Sequence, residues 1–129
     1  MVTSPPSLDS GRELLVIDDD TAAREALAEF LEHSGYVVMV AANGREALDC
    51  LRKSVRLPAV IILDLMMPVM DGWEFLECQS RDPVLHDIPV IVLTATPPGD
   101  LILARAVLLK PVEPEFLIET VERLLPAKT

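Results

Sequence analysis

The chain has 129 residues, a length that suits one domain of ordinary size. Its formal net charge of -10 would repel a phosphate backbone, so we exclude direct nucleic-acid binding from the expected functions. No apolar run approaches the roughly 18 to 20 residues of a membrane span, and Cys50 and Cys78 are too few for a disulfide framework. We therefore expect a cytoplasmic protein that does not enter a membrane.

Residues 1–11 contain few apolar side chains, and burial there cannot offset the loss of conformational entropy on ordering. We expect a disordered tail there, one folded domain over residues 12–126 and a short tail over residues 127–129. Short apolar runs predict five strands, at residues 14–17, 36–41, 59–63, 90–93 and 106–109. Most of these runs are continuous, as in parallel strands that are buried on both faces.

Helical patterns separate the predicted strands. Asn43 with Glu46, and Asp71 with Glu74, have the spacing of capping boxes that begin a second and a third helix. The first and last helices are predicted from apolar stripes over residues 21–34 and 114–125: Ala23, Leu27, Phe30 and Leu31 in the first, and Phe116, Leu117, Thr120, Val121 and Leu124 in the last. Strands that alternate with helices predict an α/β fold, a doubly wound parallel sheet with helices on both faces.

The connection between the fourth and fifth strands is unusually short. It has only ten residues, from Thr96 to Arg105, and opens with Thr96-Pro97-Pro98-Gly99. A parallel crossover that contains a helix needs at least about 10 to 12 residues. We therefore predict that the fourth helix of the expected topology is short or missing.

Six polar residues stand at the ends of predicted strands: Asp18, Asp19 and Asp20 after the first, Asp64 at the third, Thr94 at the fourth and Lys110 at the fifth. In an open parallel sheet these ends share one edge, where ligands bind. Carboxylates that converge from two strands repel each other unless they are protonated or hold a hard cation with oxygen ligands. This pattern predicts a site for Mg²⁺ or Mn²⁺.

Four short segments also carry a resemblance to a known family: Val16-Ile17-Asp18-Asp19-Asp20, Asp64-Leu65-Met66-Met67-Pro68-Val69-Met70-Asp71-Gly72, Thr94-Ala95 and Lys110-Pro111. Together they resemble the receiver domains of two-component response regulators, which have the fold of the chemotaxis regulators. The resemblance covers nearly all of residues 13–125. It implies a five-stranded flavodoxin-like sheet in the order 2-1-3-4-5.

The resemblance implies a role for each matching residue. Asp64 would accept the phosphoryl group, Asp19, Asp64 and the backbone carbonyl of Met66 would hold the metal, and Asp18 would assist through a metal-bound water. Phosphoryl transfer also needs positive charge and hydrogen-bond donors around the transferring oxygens. The Lys110 ammonium, the Thr94 hydroxyl and the Ala95 amide can provide them.

Each of these residues also has a purely structural interpretation. Asp18 to Asp20 would serve equally as a solvated loop with a helix cap, Lys110 as a surface lysine and Thr94 as the end of a strand. Trp73 is interpreted as a half-buried packing residue at the start of the third helix, in preference to a platform for a ligand. The sequence departs from the family at Val107, where receivers usually carry an aromatic residue three positions before the lysine.

Three functions remain open at this stage. The first is a stand-alone phosphorylatable switch that receives its phosphoryl group from a histidine kinase or phosphotransfer protein, acts on a downstream protein of unknown identity and is a monomer. The second is a degenerate receiver that binds a partner without phosphorylation. The third is an aspartate-nucleophile phosphohydrolase, for which Asp18 and Asp20 have the spacing but the chain has no room for a cap domain. We predict a signalling phosphoacceptor, not an enzyme that acts on other molecules.

Overall fold

The computed structural model describes residues 12–67, 69–99 and 103–126. Its elements are, in chain order, β1 (Glu13–Ile17), α1 (Thr21–His33), β2 (Val37–Ala41), α2 (Gly44–Lys53), β3 (Val60–Asp64), α3 (Gly72–Arg81), β4 (Val90–Thr94), β5 (Ala106–Leu109) and α4 (Pro114–Leu124). The five strands form one parallel sheet in the order β2-β1-β3-β4-β5, as predicted. The predicted tails, Pro68 and residues 100–102 lie outside the described residues.

Alternate side chains of the central strands enter two separate cores, because successive residues of a strand point to opposite faces of the sheet. Leu15 and Ile17 of β1 belong to the core under α2 and α3, whereas Leu14 and Val16 belong to the core under α1 and α4. All four side chains are almost fully buried. Helices therefore cover both faces, as predicted for a doubly wound sheet.

Both predicted capping-box pairs lie at the start of their helices, and the pair of Asp71 and Glu74 forms the complete box. Asn43 caps α2 through a bond from the Glu46 N–H, and Asp71 caps α3 with both bonds of the capping box formed. In α2 the Glu46 carboxylate instead reaches the Ala42 N–H, one residue before the cap. These caps fix where the chain turns from the site loops into the helices.

The apolar stripes of α1 and α4 are less buried than predicted. Leu31 is the buried residue of α1, while Leu27 and Phe30 are half-buried and Ala23 is exposed. On α4, Phe116 is 48% exposed, so its predicted place in the buried stripe is wrong. The buried residues of α4 are Leu117, Thr120 and Val121, so the helix packs against the sheet through these side chains and Phe116 lies outside this face.

The short connection between β4 and β5 carries no helix in its described part, residues 95–99 and 103–105. Four helices are present in the described chain, which agrees with the prediction of a short or missing fourth crossover helix. Pro97 and Pro98 lack the N–H groups that a helix interior needs, and Gly99 has a φ of 75°. Within the described residues, no helix is long and apolar enough to cross a membrane.

Candidate functional site

Three carboxylates converge at the carboxyl edge of the sheet. Asp18 follows β1, Asp19 comes next, and Asp64 is the last residue of β3. One carboxylate oxygen of each lies within 4.8 Å of the others. Asp18 is buried and Asp19 is exposed, so the cluster opens to solvent on one side. The strand ends that the sequence predicted to meet do meet.

Hydrogen bonds fix the loop between β1 and α1, residues 18–20. The Asp18 N–H continues the sheet by donating to the Ala41 carbonyl at 3.1 Å, and the Asp18 carboxylate accepts from the Asp20 N–H at 3.0 Å. Asp20 points the other way and caps α1 through the Ala23 N–H. The structural and the functional interpretation of residues 18–20 each hold for part of the triplet. Asp20 is the helix cap, and Asp18 and Asp19 belong to the carboxylate cluster.

Arg24 is a residue of this site that the sequence motifs do not indicate. Its guanidinium Nη1 donates to the backbone carbonyl of Asp18 at 2.8 Å. The signal that could have found it is its position as the fourth residue of α1, the helix directly after the predicted loop. A long basic side chain there can reach back to the strand end.

The ammonium of Lys110 lies beside the candidate acceptor. Its Nζ is 3.7 Å from Oδ1 of Asp64, and its backbone N–H donates to the Thr94 carbonyl at 2.8 Å. Burial raises the pKa of Asp64 above its usual value, and the neighbouring carboxylates of Asp18 and Asp19 raise it further. The positive charge of Lys110 and the Met66 N–H oppose this shift and lower the pKa.

The β3–α3 loop turns sharply beside Asp64. The Met66 N–H approaches Oδ1 of Asp64 at 3.4 Å, while the Met66 side chain is 67% exposed. The predicted metal contact of the Met66 carbonyl remains a prediction. Val69 has a φ of 69°, a backbone conformation that costs a β-branched residue energy, so this loop is locally strained.

The predicted switch residues lie further along the same edge. Thr94 is 2% exposed, and its hydroxyl donates to the Thr96 carbonyl at 3.1 Å. Ala95 is exposed beside it. Val107 pairs in register with Val92 and is 37% exposed. The structure thus places Thr94, Ala95 and Lys110 at one edge, but the Thr94 hydroxyl is bonded within its own loop.

An apolar groove of about 610 Å³ opens next to the carboxylate cluster. It lies between α1 and the segment that joins β5 to α4, and Asp18 and Lys110 stand among its lining residues. Ala26 and Leu27 form part of its α1 side, and Val112 lines the other side. The carboxylate cluster is therefore bordered by a concave apolar surface that could bind another molecule.

The sequence comparison decides the family. The family model for the response regulator receiver domain matches residues 14–122. The chain belongs to the response regulator receiver domain family. The receiver domain family is one of phosphoacceptor domains in two-component signalling, and receiver domains interact with histidine kinases or phosphotransfer proteins.

Individual proteins agree with this family. The chain is 41% identical over 119 residues to response regulator Rre1 of Synechocystis. The matched region covers 87% of this chain and 51% of that protein. It spans about half the length of that relative. Chemotaxis response regulator CheY4 of Vibrio cholerae has a TM-score of 0.79 at 34% identity, with 90% of this chain and all of that chain covered.

A third relative was solved with ligands. Response regulator TrrA of Thermotoga maritima, in complex with Mg²⁺ and BeF, has a TM-score of 0.79 at 32% identity, with 88% of this chain and 99% of that chain covered. In the present chain the clustered donors of Asp18, Asp19 and Asp64 are all carboxylate oxygens. Oxygen ligands of this kind are those that Mg²⁺ prefers, so the residues fit the ion.

Proposed function

We propose that this domain accepts a phosphoryl group on Asp64, in a Mg²⁺-dependent reaction, from a histidine kinase or phosphotransfer protein in the cytoplasm. The observation that carries the proposal is the position of Asp64. The Lys110 ammonium lies 3.7 Å from its carboxylate, and one carboxylate oxygen each of Asp18 and Asp19 lies within 4.8 Å of it. One carboxylate thus faces both a cation and a candidate metal site.

The proposed reaction is a displacement at phosphorus. An Asp64 carboxylate oxygen attacks the phosphorus of a phosphohistidine, an O–P bond forms, and the N–P bond breaks. The electron pair of the broken N–P bond stays on the imidazole nitrogen of the donor, and the product on this chain is an aspartyl phosphate. A bound divalent cation supplies charge neutralisation for the nucleophile and for the transferring oxygens.

The side chains of this edge divide the remaining work. Asp19, Asp64 and the backbone carbonyl of Met66 would hold the cation, and Asp18 would assist through a metal-bound water. Lys110 pairs with a phosphoryl oxygen as a compact charge. Ala95 offers its backbone N–H, and the Thr94 hydroxyl can donate to the new anion after leaving the Thr96 carbonyl.

We propose the apolar groove as the contact surface for the phosphodonor protein, because it leads from α1 directly to Asp18 and Lys110. Ala26→Lys would place a charged side chain on its α1 side. This variant should slow transfer from the donor protein and leave phosphorylation by acetyl phosphate unchanged. Equal slowing with both donors would contradict a docking role.

The decisive experiment is incubation of the whole chain with Mg²⁺ and acetyl phosphate, followed by intact mass measurement. The wild type should gain one phosphoryl group. Asp64→Asn should gain none, because an amide is a far poorer nucleophile than a carboxylate. Asp20→Asn is the matched control, since Asn also caps helices and Asp20 lies outside the carboxylate cluster. Unchanged labelling of Asp64→Asn would refute the assignment of the acceptor.

The metal is tested separately from the transfer. Asp19→Asn removes one ligand charge and should weaken Mg²⁺ binding by about tenfold or more, measured by isothermal titration. Labelling should slow in proportion. The same Mg²⁺ affinity in the variant and the wild type would exclude Asp19 as a ligand.

A second candidate function is a receiver that binds its partner without phosphorylation. The helix-free described part of the β4–β5 connection and the valine at position 107 favour it. The same labelling experiment separates the two functions. We also propose that the folded domain suffices for the phosphoryl transfer itself, because every residue with a proposed role in the transfer lies between Asp18 and Lys110.

A further inference from the structure

We infer that Arg24 is a positioning residue of the metal site, one that holds the β1–α1 loop in the conformation that binds Mg²⁺. The inference rests on the proposed function, since it concerns the same site. Arg24 belongs to α1, and its Nη1 donates to the backbone carbonyl of Asp18 at 2.8 Å. It therefore acts on the ligand set through the backbone, without itself being a ligand.

The β1–α1 loop is short, and its other hydrogen bonds involve the proposed metal-binding residues themselves. The loop therefore depends on its contact with Arg24. Asp18 is tied to β2 by its N–H, and its carboxylate accepts from the Asp20 N–H. The Arg24 bond acts on the remaining polar group of the Asp18 backbone, its carbonyl, and joins it to a rigid helix. A charge-assisted bond of this kind is stronger than one between neutral groups.

The position of Arg24 within its helix adds to this effect. Its backbone N–H donates to the Asp20 carbonyl at 2.8 Å, while its side chain reaches Asp18. One residue thus holds both ends of the three-residue loop, with Asp19 between them. Preorganised ligands bind a cation more tightly because less conformational entropy is lost on binding.

The positive charge of Arg24 has the opposite effect on a cation. Three carboxylates whose oxygens lie within 4.8 Å repel one another, and a nearby guanidinium reduces that repulsion but also repels Mg²⁺. If charge repulsion were the larger effect, removal of Arg24 would tighten metal binding. The hydrogen bond acts directly on the ligand-bearing loop, and we therefore expect positioning to be the larger effect.

The test is Mg²⁺ titration of the whole chain by calorimetry for the wild type, Arg24→Met and Arg24→Lys. Arg24→Met removes both the donor and the charge, whereas Arg24→Lys keeps a cation that can donate. The control is Arg45→Met, which removes an exposed arginine from the first turn of α2, where it makes no hydrogen bond to the β1–α1 loop among the described residues. Circular dichroism in EDTA shows whether each variant is folded without metal.

We expect Arg24→Met to raise the Mg²⁺ dissociation constant by about tenfold, which corresponds to about 1.4 kcal/mol, and Arg24→Lys to recover most of the loss. Arg45→Met should bind as the wild type does. Unchanged or tighter binding by Arg24→Met, or no recovery with Arg24→Lys, would overturn the inference. If Arg24→Met does not fold, the comparison of Arg24→Lys with the wild type decides, and a loss beyond about tenfold overturns it. A wild type that binds no Mg²⁺ would instead refute the proposed function.

Discussion

Lys110, which directly follows β5, contacts the ends of β3 and β4: its Nζ lies 3.7 Å from Oδ1 of Asp64 on β3, and its N–H donates to the carbonyl of Thr94 on β4 at 2.8 Å. A phosphoryl group on Asp64 would therefore interact directly with the Lys110 ammonium. A displacement of Lys110 would move the end of β4 through the hydrogen bond from the Lys110 N–H. The arrangement couples the candidate acceptor to the loop that holds Thr94.

Replacement of Lys110 should separate phosphorylation from its structural consequence. We expect Lys110→Ala to keep Mg²⁺ binding within about tenfold of the wild type, because the removed charge repels the metal and is not a ligand. Addition of beryllofluoride, which stands in for the phosphoryl group on Asp64, should then shift fewer amide resonances around Thr94. Lys53→Ala, at the carboxyl end of α2, is the control. Identical amide shifts in Lys110→Ala and the wild type would show that Lys110 does not sense the anion.

Asp64 should lower the stability of the metal-free protein. Its pKa is raised in the folded state by burial and by neighbouring carboxylates, so the ionised form costs folding energy at neutral pH. We expect Asp64→Asn to raise the free energy of unfolding in EDTA by about 0.5 to 2 kcal/mol at neutral pH. This destabilisation by ionised Asp64 is present at pH values above the raised pKa of Asp64 in the folded state, and it is lost as the pH falls through that pKa. The advantage of the variant should therefore be smaller at about pH 4 than at about pH 7. Urea denaturation at both pH values measures it, and an advantage that grows at low pH would contradict the direction of the shift.

Gly72 permits a close approach that a side chain would prevent. A Cβ atom at this position would lie 2.7 Å from the Leu65 Cα, which is backbone next to Asp64. We expect Gly72→Ala to destabilise the protein by about 1 to 3 kcal/mol, the usual cost of overpacking, although alanine normally favours helices. Gly44→Ala is the matched comparison, because the nearest atoms to its Cβ belong to the flexible Met70 side chain. Denaturation in which Gly44→Ala loses more stability than Gly72→Ala would contradict this explanation.

Activation should rearrange the chain locally. A switch needs an element with two arrangements, and a ligand shifts their balance only by its differential affinity for them. Val107 has no ring to reorient, and the described part of the β4–β5 connection has no helix. We expect beryllofluoride and Mg²⁺ to shift amides mainly in residues 94–100 and at Lys110-Pro111. Sedimentation should show a monomer before and after activation. A symmetric dimer built on β5 and α4 that forms only on activation would refute this prediction.

The local features of the fold could be predicted from the sequence because they depend on residues a few positions apart. The capping box of Asp71 and Glu74 is complete within four residues, and it begins α3 where predicted. The continuous apolar runs indicate parallel strands, and the carboxyl ends of parallel strands share an edge. Asp64 and Lys110 could therefore be assigned to one site before their distance was known.

The tertiary structure decided the features that depend on packing between distant segments. The direction of the Thr94 hydroxyl, the exposure of Phe116 and the bond from Arg24 to the Asp18 carbonyl have no signal in a periodic pattern. The raised pKa of Asp64 likewise requires burial and charges brought together from β1, β3 and β5. Sequence patterns determine which residues reach the edge of the sheet, whereas hydrogen-bond partners and desolvation are determined by how the elements pack there.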